Sequence, residues 1–102
     1  MILERVNFNS NKTGITNIVI WISKTDERHG PRIKVSNVYN KMVKDDCFTI
    51  TLPDKKIKGE SKLSKNDMKS IFTFIDLNLN ILIEFNYMKI SLLLFTNNII
   101  KI

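Results

Sequence analysis

Hydrophobic and polar positions alternate with period two through three stretches of the first half of this chain. In residues 15–23, Ile18, Ile20 and Ile22 fall on one side and Val19 and Trp21 on the other. In residues 32–38, Ile33 and Val35 oppose Arg32, Lys34 and Ser36; in residues 47–52, Phe48, Ile50 and Leu52 oppose Thr49 and Thr51. β-Branched residues dominate these runs, and such alternation marks strands that bury one face. Gly30 and Pro31 separate the first two strands, and Pro53 and Asp54 turn the chain after the third. Residues 56–59 read as a short edge strand whose lysines discourage pairing with another chain.

The period changes after Leu63. Ser64 is followed three residues later by Asp67, the pattern of a helix N-cap with an acid in the first turn. Leu63 and Met68 flank the cap as a hydrophobic staple. Met68, Ile71, Phe72, Ile75 and Leu79 then follow helical spacing. From Leu77 to Phe85 the apolar residues alternate again, while Leu79, Leu82 and Ile83 also continue the helical stripe, so periodicity does not decide there. The favoured reading is a helix over residues 64–77, a break near 78–80, and a short second helix. Residues 1–14 form a polar, Asn-rich segment closed by Gly14. Residues 90–102 form an apolar tail that fits a hairpin, a helical extension or a surface held by a partner. The expected fold is α+β: one domain over residues 1–102, with an antiparallel sheet of three to four strands packed on one main helix of the C-terminal half.

Composition adjusts this picture in one respect. The chain has no Ala and no Gln, while Ile, Lys and Asn make up about two-fifths of it. Their codons are built mostly from A and T, so AT-rich coding accounts for part of the net charge of +6. Against that background only uneven charge is informative. Lys55, Lys56, Lys58, Lys62, Lys65 and Lys69 crowd one stretch that holds only Glu60 and Asp67 as acids. Two of the three arginines, Arg28 and Arg32, flank the single His29, with Lys34 close by.

Several activities are disfavoured. One Cys and one His leave too few soft ligands for zinc, and a lone Cys47 has no internal disulfide partner, which fits a reducing compartment. Residues 1–8 lack the apolar core of a signal peptide, and the longest apolar run falls far short of the roughly 20 residues that cross a bilayer. A cytoplasmic protein is expected. No P-loop, dinucleotide fingerprint or nucleophile elbow is present, and no cofactor or metal is expected. Asp45 with Asp46, and Asp26 with Glu27, are acid pairs of the kind that hold Mg²⁺, yet adjacent loop acids are usually solvated.

The lysine run sits at a helix start, where free N–H groups also attract anions; it is a candidate contact for phosphate or for an acidic protein surface. The loop residues Arg28, His29, Arg32 and Lys34 are a second candidate contact. A metal-independent ribonuclease would need a base, an acid and a cation, roles open to His29, Glu27 and Arg28 or Arg32. Trp21, Tyr39, Phe48 and Tyr87 would stack on bases if they faced solvent, though aromatics in such strands are more often core. Leu92, Leu93, Leu94 and Phe95 form a candidate interface if the domain leaves them uncovered.

Trp21, Ile22 and Ser23 with the stretch from His29 to Val35, and the stretch from Leu63 to Met68 with Phe74 to Asn78, resemble segments of short uncharacterised proteins of bacteria and their phages, over roughly residues 18–86. The resemblance implies a small α+β unit and brings no catalytic residues; the tail after Phe85 departs from the pattern. By size and source the chain is similar to the anti-CRISPR inhibitors. That similarity implies a non-enzymatic protein that binds a host protein or ribonucleoprotein, such as an RNA-guided nuclease, through basic patches. The alternatives are a direct RNA- or DNA-binding, antitoxin-like regulator and a small ribonuclease toxin centred on His29.

Overall fold

The structure is a computed structural model, and it describes residues 5–23, 31–86 and 91–102. Its elements run β1 (Arg5–Phe8), α1 (Ser10–Thr13), β2 (Ile20–Ser23), β3 (Arg32–Ser36), β4 (Cys47–Thr51), β5 (Ile57–Lys58), α2 (Lys65–Asn86) and α3 (Leu92–Asn97). The five strands form one antiparallel meander in chain order. The α+β class, with an antiparallel sheet and one long helix in the C-terminal half, is as the periodicity predicts.

Strand register explains the alternation. Phe8 pairs with Ile20, Ile20 with Val35, and Val35 with Phe48. These four side chains form a buried row across the sheet. Directly opposed residues share a face, so Ile33 and Ile50 lie on the same inner side. α2 covers this side with Ile71, Phe74, Ile75, Leu82 and Phe85, all fully buried. The helix begins as expected: the Asp67 N–H donates to Ser64 Oγ at 3.1 Å, and Leu63 and Met68 both pack on the core.

Three expectations change. First, the polar segment 1–14 contributes β1 and the single turn α1, so the sheet gains a fifth strand. Asn9 caps α1 by accepting from the Asn11 N–H at 3.0 Å, and Gly14 ends it with φ 81°.

Second, α2 does not break near residue 78 but continues to Asn86. Asn78 lies on the buried stripe instead of interrupting it. Its Nδ2 donates to the Phe74 and Ile100 carbonyls, both at 2.9 Å, and its Oδ1 accepts from the Ile100 N–H at 2.7 Å. Asn86 repeats the arrangement one stripe further on. Its Nδ2 donates to the Leu82 and Arg32 carbonyls at 3.2 and 3.1 Å, and its Oδ1 accepts from the Arg32 N–H at 3.4 Å. Each carboxamide therefore offers an extended segment the donor and acceptor that a neighbouring strand would offer. The alternation from Leu77 onward reflects a broadly buried helix, with Leu79, Ile81 and Ile83 half-buried on its flanks.

Third, the tail is part of the core. Ser91 caps α3, accepting from the Leu94 N–H at 3.2 Å. The fully buried Phe95 stacks on Phe85 with centroids 4.2 Å apart and lies 5.4 Å from Phe8. Beyond α3, Ile99 packs on the core, Ile100 pairs with Asn78, and the Ile102 N–H donates to the Thr13 carbonyl at 3.0 Å. The Ile102 carbonyl oxygen occupies the place a Cβ on Gly14 would need.

Candidate binding face of the sheet

An antiparallel sheet with a helix on one side leaves its other face open. Register defines what lies there: Trp21 opposes Lys34, Lys34 opposes Thr49, and Thr49 opposes Lys58. These four residues form a row across β2–β5. Trp21, Lys34 and Thr49 are half-buried and Lys58 is exposed. Arg32, opposite Thr51, lies beside the row on the same face, and its main chain is held by Asn86.

Trp21 is the only tryptophan of the chain. The Lys34 ammonium lies 5.4 Å from its ring centroid and that of Lys44, from the β3–β4 loop, 5.6 Å. The two ammoniums are thus no further apart than about twice that distance. A cation over an indole face contributes about 0.5–1 kcal/mol at exposed sites, too little to lock either lysine in place. Asn37 fixes the base of that loop: its N–H donates to the Asp46 carbonyl at 2.9 Å, its Nδ2 to the Glu60 carbonyl at 2.9 Å, and its Oδ1 accepts from the Lys62 N–H at 2.8 Å.

The six-lysine run does not form one surface. Lys55 pairs with Asp76 at 2.6 Å and Lys62 with Asp46 at 3.0 Å, while Lys56 stands 4.0 Å from Asp54. Such solvated pairs add little to stability, but they place acids beside three of the six cations. Lys65 and Lys69 are exposed on α2, the element that covers the opposite side of the sheet from Lys58. Among the described residues neither has an ion-pair partner. Of the six, Lys58 is placed on the open face by the strand register itself.

Of the loop candidates, Arg32 and Lys34 reach the face, whereas Arg28 and His29, and Glu27 with them, lie outside the described residues. Of the aromatic candidates, Phe48 is core. Tyr39 is half exposed and donates its hydroxyl to Asp67 Oδ2 at 2.8 Å. That bond to a carboxylate holds the phenol above its ordinary range. Tyr87 lies outside the described residues. Phe95 is buried, which removes it from the proposed apolar interface; Leu93 and Leu94 remain 71% and 52% exposed, and the Leu92 side chain lies outside the description.

Asp46 Oδ1 accepts from the Lys62 ammonium at 3.0 Å and from the Asn37 amide at 3.2 Å, and these donors hold its carboxyl below the usual carboxylate range. No cluster of three or more His, Cys, Asp or Glu among the described residues is suited to a metal ion. No helix among them is long and apolar enough to cross a membrane. An open groove of about 350 Å³ runs between α2 and the tail, lined by Asp76, Leu77, Asn80, Ile81, Asn98 and Ile100.

Lys44 and Thr49 were absent from the sequence-based candidates. Thr49 and the adjacency of Trp21, Lys34 and Lys58 follow from taking the outward positions of all strands together, a set without a single carboxylate. Lys44 arrives from a loop and carries no periodic signal. No protein-family model, no curated protein and no solved structure matches this chain.

Proposed function

We propose that this protein is a non-enzymatic binding protein that engages a host nucleoprotein through the open face of its sheet. An RNA-guided nuclease is the case that the resemblance to small phage inhibitors implies. The observation that carries the reading is the row Trp21, Lys34, Thr49 and Lys58, flanked by Arg32 and Lys44, in which no strand position holds an acid. Such a face carries a local positive potential that attracts polyanions and speeds encounter with them.

The test compares charge reversal on the two sides of the molecule. Lys34→Glu with Lys58→Glu should abolish binding to, and inhibition of, a purified guide-loaded nuclease. Lys65→Glu with Lys69→Glu should leave both unchanged. Equal loss from the two pairs would assign binding to overall charge, and loss from the helix pair alone would move the site to α2.

The alternative of direct RNA or DNA binding is favoured by a separate observation, the indole at one end of the basic row with the Lys34 and Lys44 ammoniums beside it. A purely electrostatic contact has no need of an aromatic surface there.

A further inference from the structure

We infer that the open face binds single-stranded nucleic acid, with one base stacked on Trp21 and the flanking phosphates on Lys34, Lys44 and Lys58. The inference rests on the reading of this face as the binding surface and names the chemistry it takes.

Three arguments favour a single strand. The first is shape. Neighbouring strands are about 4.8 Å apart, so the row from Trp21 to Lys58 spans about 14 Å across a continuous sheet. The major groove of a duplex, about 12 Å wide, admits a helix or a two-stranded ribbon. A face of four adjacent strands does not enter it, but it can support a short extended strand lying across it.

The second is the aromatic. An indole stacks on a base only where that base has left its own stack, as in single strands, loops and ends. Stacking on one aromatic ring typically changes affinity roughly tenfold to a hundredfold. The ammoniums now over Trp21 are weakly held. When a base displaces them they stay within reach of the adjoining phosphates.

The third is charge. Lys34, Lys44 and Lys58 offer three phosphate contacts. Displacing condensed cations from a single strand then gives a slope of log affinity against log salt of about −2. An acidic protein would meet the same charges but would gain nothing specific from the indole.

Titration of the intact protein with a short oligouridine, with an RNA duplex and with polyglutamate tests this. Trp21 fluorescence reports on the face, and anisotropy of labelled ligands reports binding by the variants. The single strand should quench Trp21, bind at least tenfold more tightly than the duplex or polyglutamate, and show the stated salt slope. Trp21→Leu should lose about tenfold or more in affinity at an unchanged salt slope. Lys34→Gln should lower the slope by about 0.7. Lys65→Gln serves as the control, and circular dichroism checks that each variant is folded; Lys34→Gln and Lys58→Gln keep the test decisive should Trp21→Leu not fold. Equal affinity for all three polyanions, weakened by Lys34→Gln and Lys58→Gln, would overturn the single-strand inference and leave the face as a general anionic contact. Tighter binding of polyglutamate would give the face to an acidic protein. No ligand-dependent change in Trp21, together with no effect of the lysine variants on nucleoprotein binding, would sink both readings.

Discussion

Asn86→Asp is a nearly isosteric change that isolates the role of the carboxamide at the end of α2. Asn86 is 1% exposed. Its Nδ2 is the donor to two carbonyls, Arg32 at 3.1 Å and Leu82 at 3.2 Å. In the variant an anionic oxygen faces both carbonyls. The Leu82 carbonyl lies within the helix and loses little. The Arg32 carbonyl loses its side-chain donor, which costs about 1–3 kcal/mol, and a charge left without a partner adds to this. A loss of about 3–5 kcal/mol is expected near neutrality, a large fraction of the roughly 5–15 kcal/mol that stabilises a typical domain. The new carboxyl is protonated more readily in the folded than in the unfolded chain, because burial and the facing carbonyls both disfavour its charge. The folded state then binds more protons, so the stability of the variant rises as pH falls from neutral toward the unfolded-state value near 4. Urea denaturation followed by Trp21 fluorescence at pH 7.5 and pH 5 measures this. Parental stability at pH 7.5, or a deficit that does not shrink at pH 5, would refute the role assigned to Asn86.

Three further outcomes follow from other contacts. Phe95→Ala removes a fully buried ring stacked on Phe85 and should cost about 3–5 kcal/mol in the same assay; a change below 1 kcal/mol would mean the tail is not core. Gly14→Ala places a methyl group at φ 81° against the Ile102 carbonyl, so it should lose more than the 1–2 kcal/mol of left-handed strain alone and release amide protection at Ile102 in hydrogen exchange. Lys62→Met removes the main cause of the depressed Asp46 pKa. A depressed carboxyl stabilises the fold above its unfolded value and ceases to do so as pH falls through its folded value. The variant should therefore raise the Asp46 pKa in a carbon-detected NMR titration and flatten the acid limb of stability, and an unmoved Asp46 would contradict the pairing.

Much of the sheet was legible because burying one face forces period two on β2, β3 and β4. Ser64, Leu63 and Met68 revealed the start of α2 because caps and staples use only neighbouring residues. What stayed hidden depends on partners far along the chain. Asn78 looked like a helix break because its carboxamide is satisfied by Ile100, 22 residues away, and Asn86 is held in the same way by Arg32, 54 residues away. β1 has a single described buried side chain, Phe8, and owes its identity as a strand to pairing with β2. In the run from Leu92 to Phe95, composition does not distinguish the buried Phe95 from the exposed Leu93. The lysine run looked continuous because Asp46 and Asp76, which pair with two of its members, lie outside it in sequence. The binding face was half visible: its outward residues could be named strand by strand, but their alignment required the register.

The meander and the aromatic trio of Phe8, Phe85 and Phe95 have opposite consequences for the order of folding. Every strand pairs with the one before it, so the sheet assembles through short loop closures that cost little chain entropy. Phe95 instead joins the first described strand to the last helix across most of the chain length, a closure that repays its entropy only when both ends are already in place. The trio should therefore form after the rate-limiting barrier. Shaving Phe95 to Leu would then speed unfolding and leave refolding nearly unchanged. During synthesis Phe8 and Phe85 wait without their third ring until Phe95 follows, and for that interval the protein depends on the packing of α2 against the sheet.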